Sequence, residues 1–341
     1  MSTPRARSPL AGDFSRGLSL QEPADPHLYL VVSWLKRLVL LGRSLRLMRV
    51  ALGAGADKAI YMGEGESLPY LGNLHKSIRP LKMDPIAVAR LPSEVMRRRG
   101  ESLLYLEVNR LLSGMVPPGG FLTLPWIRQK IQLEGPDYQR CIRSIDGVYG
   151  RKVRRYGLHC QLVQDRGALE EFYREFYCPY ILCRFGRAAH LRSFHELGTA
   201  MRSGFLLKVL QGSQWISGLV CRRHKAEVLA FAFGLRGDYA DLLRRGALSA
   251  TYYFLIRWAL EHSIEVVDLL RSRPHREDGV FVHKRRFGAT PSLDSWPHSG
   301  IWVFPPRTIH LAAEVRGLLV WRNGKAVPLD AACILDRERQ L

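Results

Sequence analysis

The clearest pattern lies between residues 205 and 234, where apolar runs are separated by short turns. FLLKVL (205–210), WISGLVCRR (215–223) and EVLAFAFG (227–234) each read as a strand. The short turn segments QGSQ (211–214) and HKA (224–226) separate them, so the spacing predicts an antiparallel meander. The pattern then changes. In SATYYFLIRWALEH (249–262), Tyr252, Leu255, Ile256 and Ala259 fall on one helical face, joined by Leu248 just before it. IEVVDLL (264–270) reads as a buried strand, and GVFVHKRRFGA (279–289) as a short helix ending at Gly288.

Upstream of the meander, HCQLVQ (159–164) alternates like a strand and Asp165 is placed to cap a helix. Leu169, Phe172, Tyr173, Phe176 and Tyr177 form that helix's apolar stripe, and Pro179 is expected to stop it. A further helix is expected over 187–198. A helix opening at Pro136-Asp137 and a basic one over 150–156 come before. From 44 to 133 the pattern is weaker. SLRLMRV (44–50), KAIYM (58–62) and IAVAR (86–90) are expected strands, Ser93 caps a short helix through Arg99, and 121–133 is extended or mixed. The pattern therefore predicts an α+β (mixed α/β) protein.

The segment 28–41 (LYLVVSWLKRLVLL) is apolar but short and interrupted by Lys36-Arg37, so it reads as a buried or interfacial helix rather than a membrane span. Arg43, Arg46 and Arg49 beside it fit attachment to a membrane surface. No apolar leader is visible in the first 26 residues. With no CxxC pair among the six cysteines, reduced thiols and a cytoplasmic location, peripheral to the inner membrane, are expected, with no metal.

Charge narrows the partners. Lys and Arg number 51 against 31 acidic residues, a net +20. Such a chain suits phosphates, carboxylates, an anionic saccharide, tRNA or an anionic membrane face. No helix-turn-helix or zinc-finger spacing is present, so sequence-specific DNA binding is not expected.

The order strand, strand, strand, helix, strand, helix, together with ALSATYYFLIRWALEHSIEVVDLL and the ending GVFVHKRRFGA, resembles the C-terminal GNAT-like half of the FemAB superfamily. Within it the likeness is to acetyltransferase-like domains associated with cellulose and exopolysaccharide synthesis. It covers roughly residues 140–290. It implies a GNAT-like acyl-CoA N-acyltransferase fold, arranged as a tandem pair of halves. Residues 1–26 would be a disordered basic tail, 27–140 a degenerate N-terminal half, 141–310 the acyltransferase domain and 311–341 an extension. The implied activity is an N- or O-acyltransferase moving an acyl group to an amine or hydroxyl, in envelope or exopolysaccharide biosynthesis.

The resemblance also nominates residues. Lys284 is carried over from the family's Lys-x-x-Phe-Gly ending as a cation near the reacting centre. Asp268 stands in an apolar strand, a costly place for a carboxylate without a partner or a cleft. His283 is a candidate base and Tyr252 a candidate proton donor. Arg244, Arg245, Gly246 and Ser249, before and at the start of the long helix, would hold the donor's phosphates. Arg271, Arg273 and Arg286, together with Arg154, would form an anionic-substrate surface. One departure matters: acetyl-CoA-binding GNAT enzymes carry Gln/Arg-x-x-Gly-x-Gly/Ala before that helix, whereas this chain reads Leu243-Arg244-Arg245-Gly246-Ala247-Leu248. Acyl-CoA as co-substrate and aminoacyl-tRNA as donor therefore both stand, as does a non-catalytic basic module serving a membrane-bound synthase.

Overall fold

The structure, a computed structural model, describes residues 47–52, 59–75, 81–186, 189, 191–292, 299–306, 313–322 and 324–330. The expected tail and the 28–41 segment lie outside them. Among the described residues, no helix is long and apolar enough to cross a membrane.

Two mixed sheets build the molecule. The first contains β1 (Leu47–Leu52), β2 (Ala59–Gly63), β3 (Leu81–Ile86), β4 (Leu103–Asn109) and β5 (Phe121–Thr123). β6 (Ile127–Gln132), β7 (Leu158–Val163), β8 (Gly204–Gln211), β9 (Gln214–His224), β10 (Glu227–Leu235), β11 (Val266–Ser272) and β12 (Thr290–Ser292) form the second. The chain then returns to the first sheet with β13 (Ser299–Phe304), β14 (Leu319–Arg322) and β15 (Lys325–Pro328). The orders are β15-β14-β5-β13-β4-β2-β1-β3 and β12-β6-β11-β10-β9-β8-β7. Each sheet has one parallel pair, β2/β4 and β10/β11.

The two sheets repeat one plan and exchange strands. In the first, β4 is followed by β13 and β5; in the second, β11 is followed by β6 and β12. Each half thus sends its last strand into the other's sheet, as β6 and β13 do. The GNAT-like fold and the tandem pair expected from the sequence are present. The division expected at 140/141 has β6 on its N-terminal side, paired in the second sheet, and β13 on its C-terminal side, paired in the first.

Helices cover both faces of the second sheet. They are named in chain order: α1 (Leu68–Leu74), α2 (Leu91–Arg98), α3 (Pro136–Ile145), α4 (Arg151–Arg155), α5 (Arg166–Glu171), α6 (Cys178–Phe185), α7 (Phe194–Arg202), α8 (Tyr239–Arg245), α9 (Ala247–Glu261), α10 (Gly279–Arg285) and α11 (Ala313–Arg316). Alternation along the meander decides the packing. Phe205, Leu207 and Val209 point to one side with Leu255, Ile256 and Ala259 of α9. Leu206, Val220 and Ala232 point to the other with Phe172, Phe176 and Leu197. Burying such side chains contributes about 1.5–3 kcal/mol each. Leu124 and Ile127, between the sheets in sequence, pack with Phe281 of α10 and Leu319 of β14 and so join the halves.

Four local expectations are corrected. Residues 86–90 are not a strand: β3 ends at Ile86, and Val88–Arg90 turn as a 3₁₀ helix into α2. α2 starts at Leu91, so Ser93 is inside it and its hydroxyl donates to the Arg90 carbonyl instead of capping. Pro179 does not end the aromatic helix. A π turn over Phe172–Tyr177 precedes it, and Pro179 falls in the first turn of α6, where the amide it lacks has no helical partner. The helix expected over 187–198 begins at Phe194, where Ser193 and Glu196 form a capping box. Asp165 does cap α5, accepting from the Gly167 and Ala168 amides at 2.8 and 2.9 Å.

Candidate active site

β10 and β11 run in parallel register only from Glu227/Val266 to Leu229/Asp268. Beyond that point β10 continues for six residues on β9 alone, among the described residues, so a strip of its edge faces away from β11. Two irregularities sit at the parting. Phe231 is an extra residue in β10 between the pairs at Ala230 and Ala232. In β11, register shifts between Asp268 and Arg271, and Leu270 takes φ +59. A non-glycine residue there is costly and persists only where its surroundings hold it.

Lys284 holds it. Its ammonium is buried and donates to the carbonyls of Leu270 and Arg271 at 3.3 and 2.8 Å. Asp268, fully buried, accepts from the Leu270 amide at 2.6 Å. Its other oxygen lies 3.0 Å from the Arg128 guanidinium, close enough to pair but not aligned for a hydrogen bond. Burial lowers the Lys284 pKa to about 7, against the opposing pull of Asp268 and Asp278. Burial raises that of Asp268, opposed by Arg128 first and the Leu270 amide next.

Aromatic side chains gather near the parting. Tyr180 of α6 meets Phe233 of β10 edge-on at 5.3 Å between ring centroids. Tyr252 of α9 lies 5.6 Å from His283 of α10, next to Lys284. His283 Nε2 is buried without a hydrogen-bond partner among the described residues. Burial, then Arg286, Lys284, Arg184 and Lys152, push its pKa down to about 4, so the ring is neutral at ordinary pH. Burial raises the Tyr252 phenol.

The structure thus brings Tyr252, His283, Lys284 and Asp268 to one parting, and Arg286 beside them. Lys152 and Arg286 both act on His283, so the two basic stretches of the sequence meet there. Of the remaining nominees, Arg271 is at the β11 irregularity itself and the others sit elsewhere. Arg244 and Arg245 are on α8 rather than in a loop, and both pair with Asp241. Gly246 joins α8 to α9 at φ +92, a left-handed link that glycine makes without strain, and Ser249 is inside the first turn of α9 rather than its cap. Arg273 stacks on Trp126 and Tyr70 at 3.6 and 4.6 Å and donates to the Pro125 carbonyl, between the halves. Arg154 lies by Gly150 and Tyr253.

Several contributors were not singled out by sequence. Arg184 follows the proline expected to end its helix. Arg128, Arg192 and Arg222 come from three separate stretches that only the sheet brings together. Tyr180 carries no motif.

In the first half, the corresponding parallel pair is closed. Glu107 on β4 is fully buried and accepts from the Ser67 amide at 3.0 Å, from the Ser67 hydroxyl at 2.5 Å and from the Tyr61 phenol. Gly63, its register partner on β2, has no room for a side chain, since a Cβ would meet the Glu107 carbonyl oxygen at 2.5 Å.

No family model matches the chain, and no curated protein matches it. Among solved structures, L-PGS from Bacillus licheniformis is 10% identical with a TM-score of 0.37, over 86% of this chain and 95% of that one. FemX is 11% identical with a TM-score of 0.36, over 76% and 84%. A putative GNAT-family acetyltransferase from Novosphingobium aromaticivorans is 12% identical with a TM-score of 0.30, over 66% and 84%. At these scores the likenesses decide nothing further; strand order and the parting of β10 from β11 carry the fold reading.

Proposed function

We propose that the chain is an acyltransferase whose reaction takes place at the parting of β10 and β11, with acyl-CoA as donor and an amine or hydroxyl as acceptor. The observation that carries this is the interrupted parallel pairing beyond Leu229/Asp268, held open by the Lys284 contacts to Leu270 and Arg271. A strand edge released from its partner turns backbone amides toward a bound carbonyl, where they stabilise the charge that develops on its oxygen.

In this reading the acceptor's lone pair attacks the acyl carbon, and the collapsing tetrahedral adduct breaks the carbon–sulfur bond. The acceptor's proton passes to the free Nε2 of His283 and then to the departing thiolate, so charge and protons balance. A pKa near 4 makes His283 a weak base by itself. Donor phosphates among Lys152, Arg184 and Arg286 cancel the positive field that lowers it, which couples base strength to donor binding. Lys284 acts as a positioning residue, because its donors already engage backbone carbonyls.

A second reading has its own observation. The loop that would cradle a CoA pyrophosphate is replaced by α8, whose Arg244 and Arg245 share the one carboxylate of Asp241. That favours an aminoacyl-tRNA donor, whose ribose oxygen leaves in place of the thiolate.

Thermal shift with acetyl-CoA, longer acyl-CoAs and charged tRNA separates them. A donor that binds the folded state raises the melting temperature. The acyl-CoA reading expects a shift that disappears in Lys152→Ala/Arg286→Ala and survives in Arg244→Ala/Arg245→Ala. A shift with charged but not uncharged tRNA, and none with acyl-CoA, moves the assignment to the second reading. Silence from both donors defeats the proposal.

A further inference from the structure

On the sheet face opposite α9, beside the start of α7, a row of guanidiniums crosses four elements. Arg192, just before α7, lies 4.0 Å above the ring of Phe231, the extra residue of β10. Arg222 at the end of β9 approaches the same ring at 5.8 Å. Arg271 of β11 and its register partner Arg128 of β6 complete the row. They are close enough to repel: after burial, and against the larger opposing pull of Tyr177 and Glu196, Arg271 and Arg222 push the Arg192 pKa down, and Arg128 does the same to Arg271.

The acids nearby do not balance them. Asp268 pairs with Arg128, and Glu196 reaches Arg192 at 4.0 Å. Arg222 and Arg271 have no ion-pair partner among the described residues. Four guanidiniums less two carboxylates leave a charge of +2. Arg222 and Arg271 are exposed, so the surplus charge is open to an anion from solution.

We propose that Arg192, Arg222 and Arg271 bind a phosphate group carried by the acceptor. A phosphate dianion matches the +2 surplus, and its oxygens accept paired donors from planar guanidinium forks. Phe231 sits under the row and at the parting, so a phosphate held there places the rest of the acceptor at the β10 edge. Donor and acceptor then approach from opposite faces of the sheet. Only the word acceptor depends on the acyltransferase reading; the binding site does not.

The test uses the full chain and titration calorimetry with glycerol 3-phosphate, and with glycerate as the carboxylate control. Glycerol 3-phosphate is expected to bind more tightly than glycerate. Arg192→Gln and Arg271→Gln are each expected to weaken it at least about fivefold, and Arg97→Gln on α2 to leave it unchanged. Because Arg271 is repelled by its neighbours and has no ion-pair partner among the described residues, Arg271→Gln should melt at or above the wild-type temperature; a purely structural arginine would lower it. Vesicles containing phosphatidic acid distinguish a lipid-borne phosphate, which retains the protein in an Arg271-dependent way, from a soluble one, which does not. Absent phosphate binding, binding indifferent to both variants, or glycerate bound as tightly, overturns the proposal. Donor shifts measured on the same samples show whether the acyltransferase reading falls with it.

Discussion

Lys284 ties the stability of the molecule to pH in a direction unusual for a lysine. In the unfolded chain its ammonium titrates near 10.5; in the fold, burial brings it to about 7. Below pH 7 both states hold the proton and the full cost of burying the charge is present. Between 7 and 10.5 the unfolded state holds more protons, so stability rises with pH, and above 10.5 the gain is complete. A shift of about 3.5 units at about 1.36 kcal/mol each gives an upper bound of about 5 kcal/mol. From pH 7.5 to 9.5 the slope predicts about 2 to 3 kcal/mol. The perturbation is Lys284→Gln, which keeps a donor for the Leu270 and Arg271 carbonyls and loses the titration. The assay is urea unfolding of both proteins at half-unit steps from pH 6.5 to 9.5, read as the difference between them, which cancels the other groups. Wild type should gain on the variant steadily across this range. Parallel curves would mean that Lys284 stays protonated in the fold and that its contacts to the bulge are made by a fully charged ammonium.

Two further outcomes follow from packing. A Cβ at Gly234 would lie 2.7–2.8 Å from the backbone of Phe176 and Tyr177, so Gly234→Ala should cost about 1–3 kcal/mol by pushing the π turn off β10, measured by denaturant midpoint. Removing Glu107 by Glu107→Ala leaves the Tyr61 phenol and both Ser67 donors buried without an acceptor, a loss of about 3 kcal/mol or more; activity per folded molecule should be unchanged, because that half's parting is closed.

What the sequence made legible is what its periodicity encodes. The meander and β11 follow from apolar runs broken by turns and the long helix from its apolar face, and the structure places them within two residues of expectation. The candidate chemistry was legible where a polar residue interrupts an apolar pattern, as Asp268 does in β11. The rest depends on long-range placement. The π turn that accommodates Pro179 has no periodic signature, and the left-handed conformation of Leu270 is imposed by Lys284 from another element. Arg128, Arg192 and Arg222 read singly as solvated charges. They become a site only because β6 crosses from the first half to lie beside β11, an exchange that no local pattern in 126–133 announces.

The strand exchange also explains why two halves of one plan differ. β2 stays paired with β4 along its whole length, to Gly63/Glu107, whereas β10 leaves β11 after Leu229/Asp268, and polar groups at each far end need partners. In the first half the protein supplies the partner itself: Glu107 reaches the amide of Ser67, just before α1, and Tyr61 and Gly63 fill the gap. In the second half the corresponding end keeps a bulge at Leu270, a buried lysine and an imidazole with no partner at Nε2 among the described residues. Internal satisfaction stabilises; an unsatisfied, strained arrangement costs stability and is retained where a ligand completes it. The first half therefore serves the second by supplying β6, and with it Arg128, to the margin of an open site.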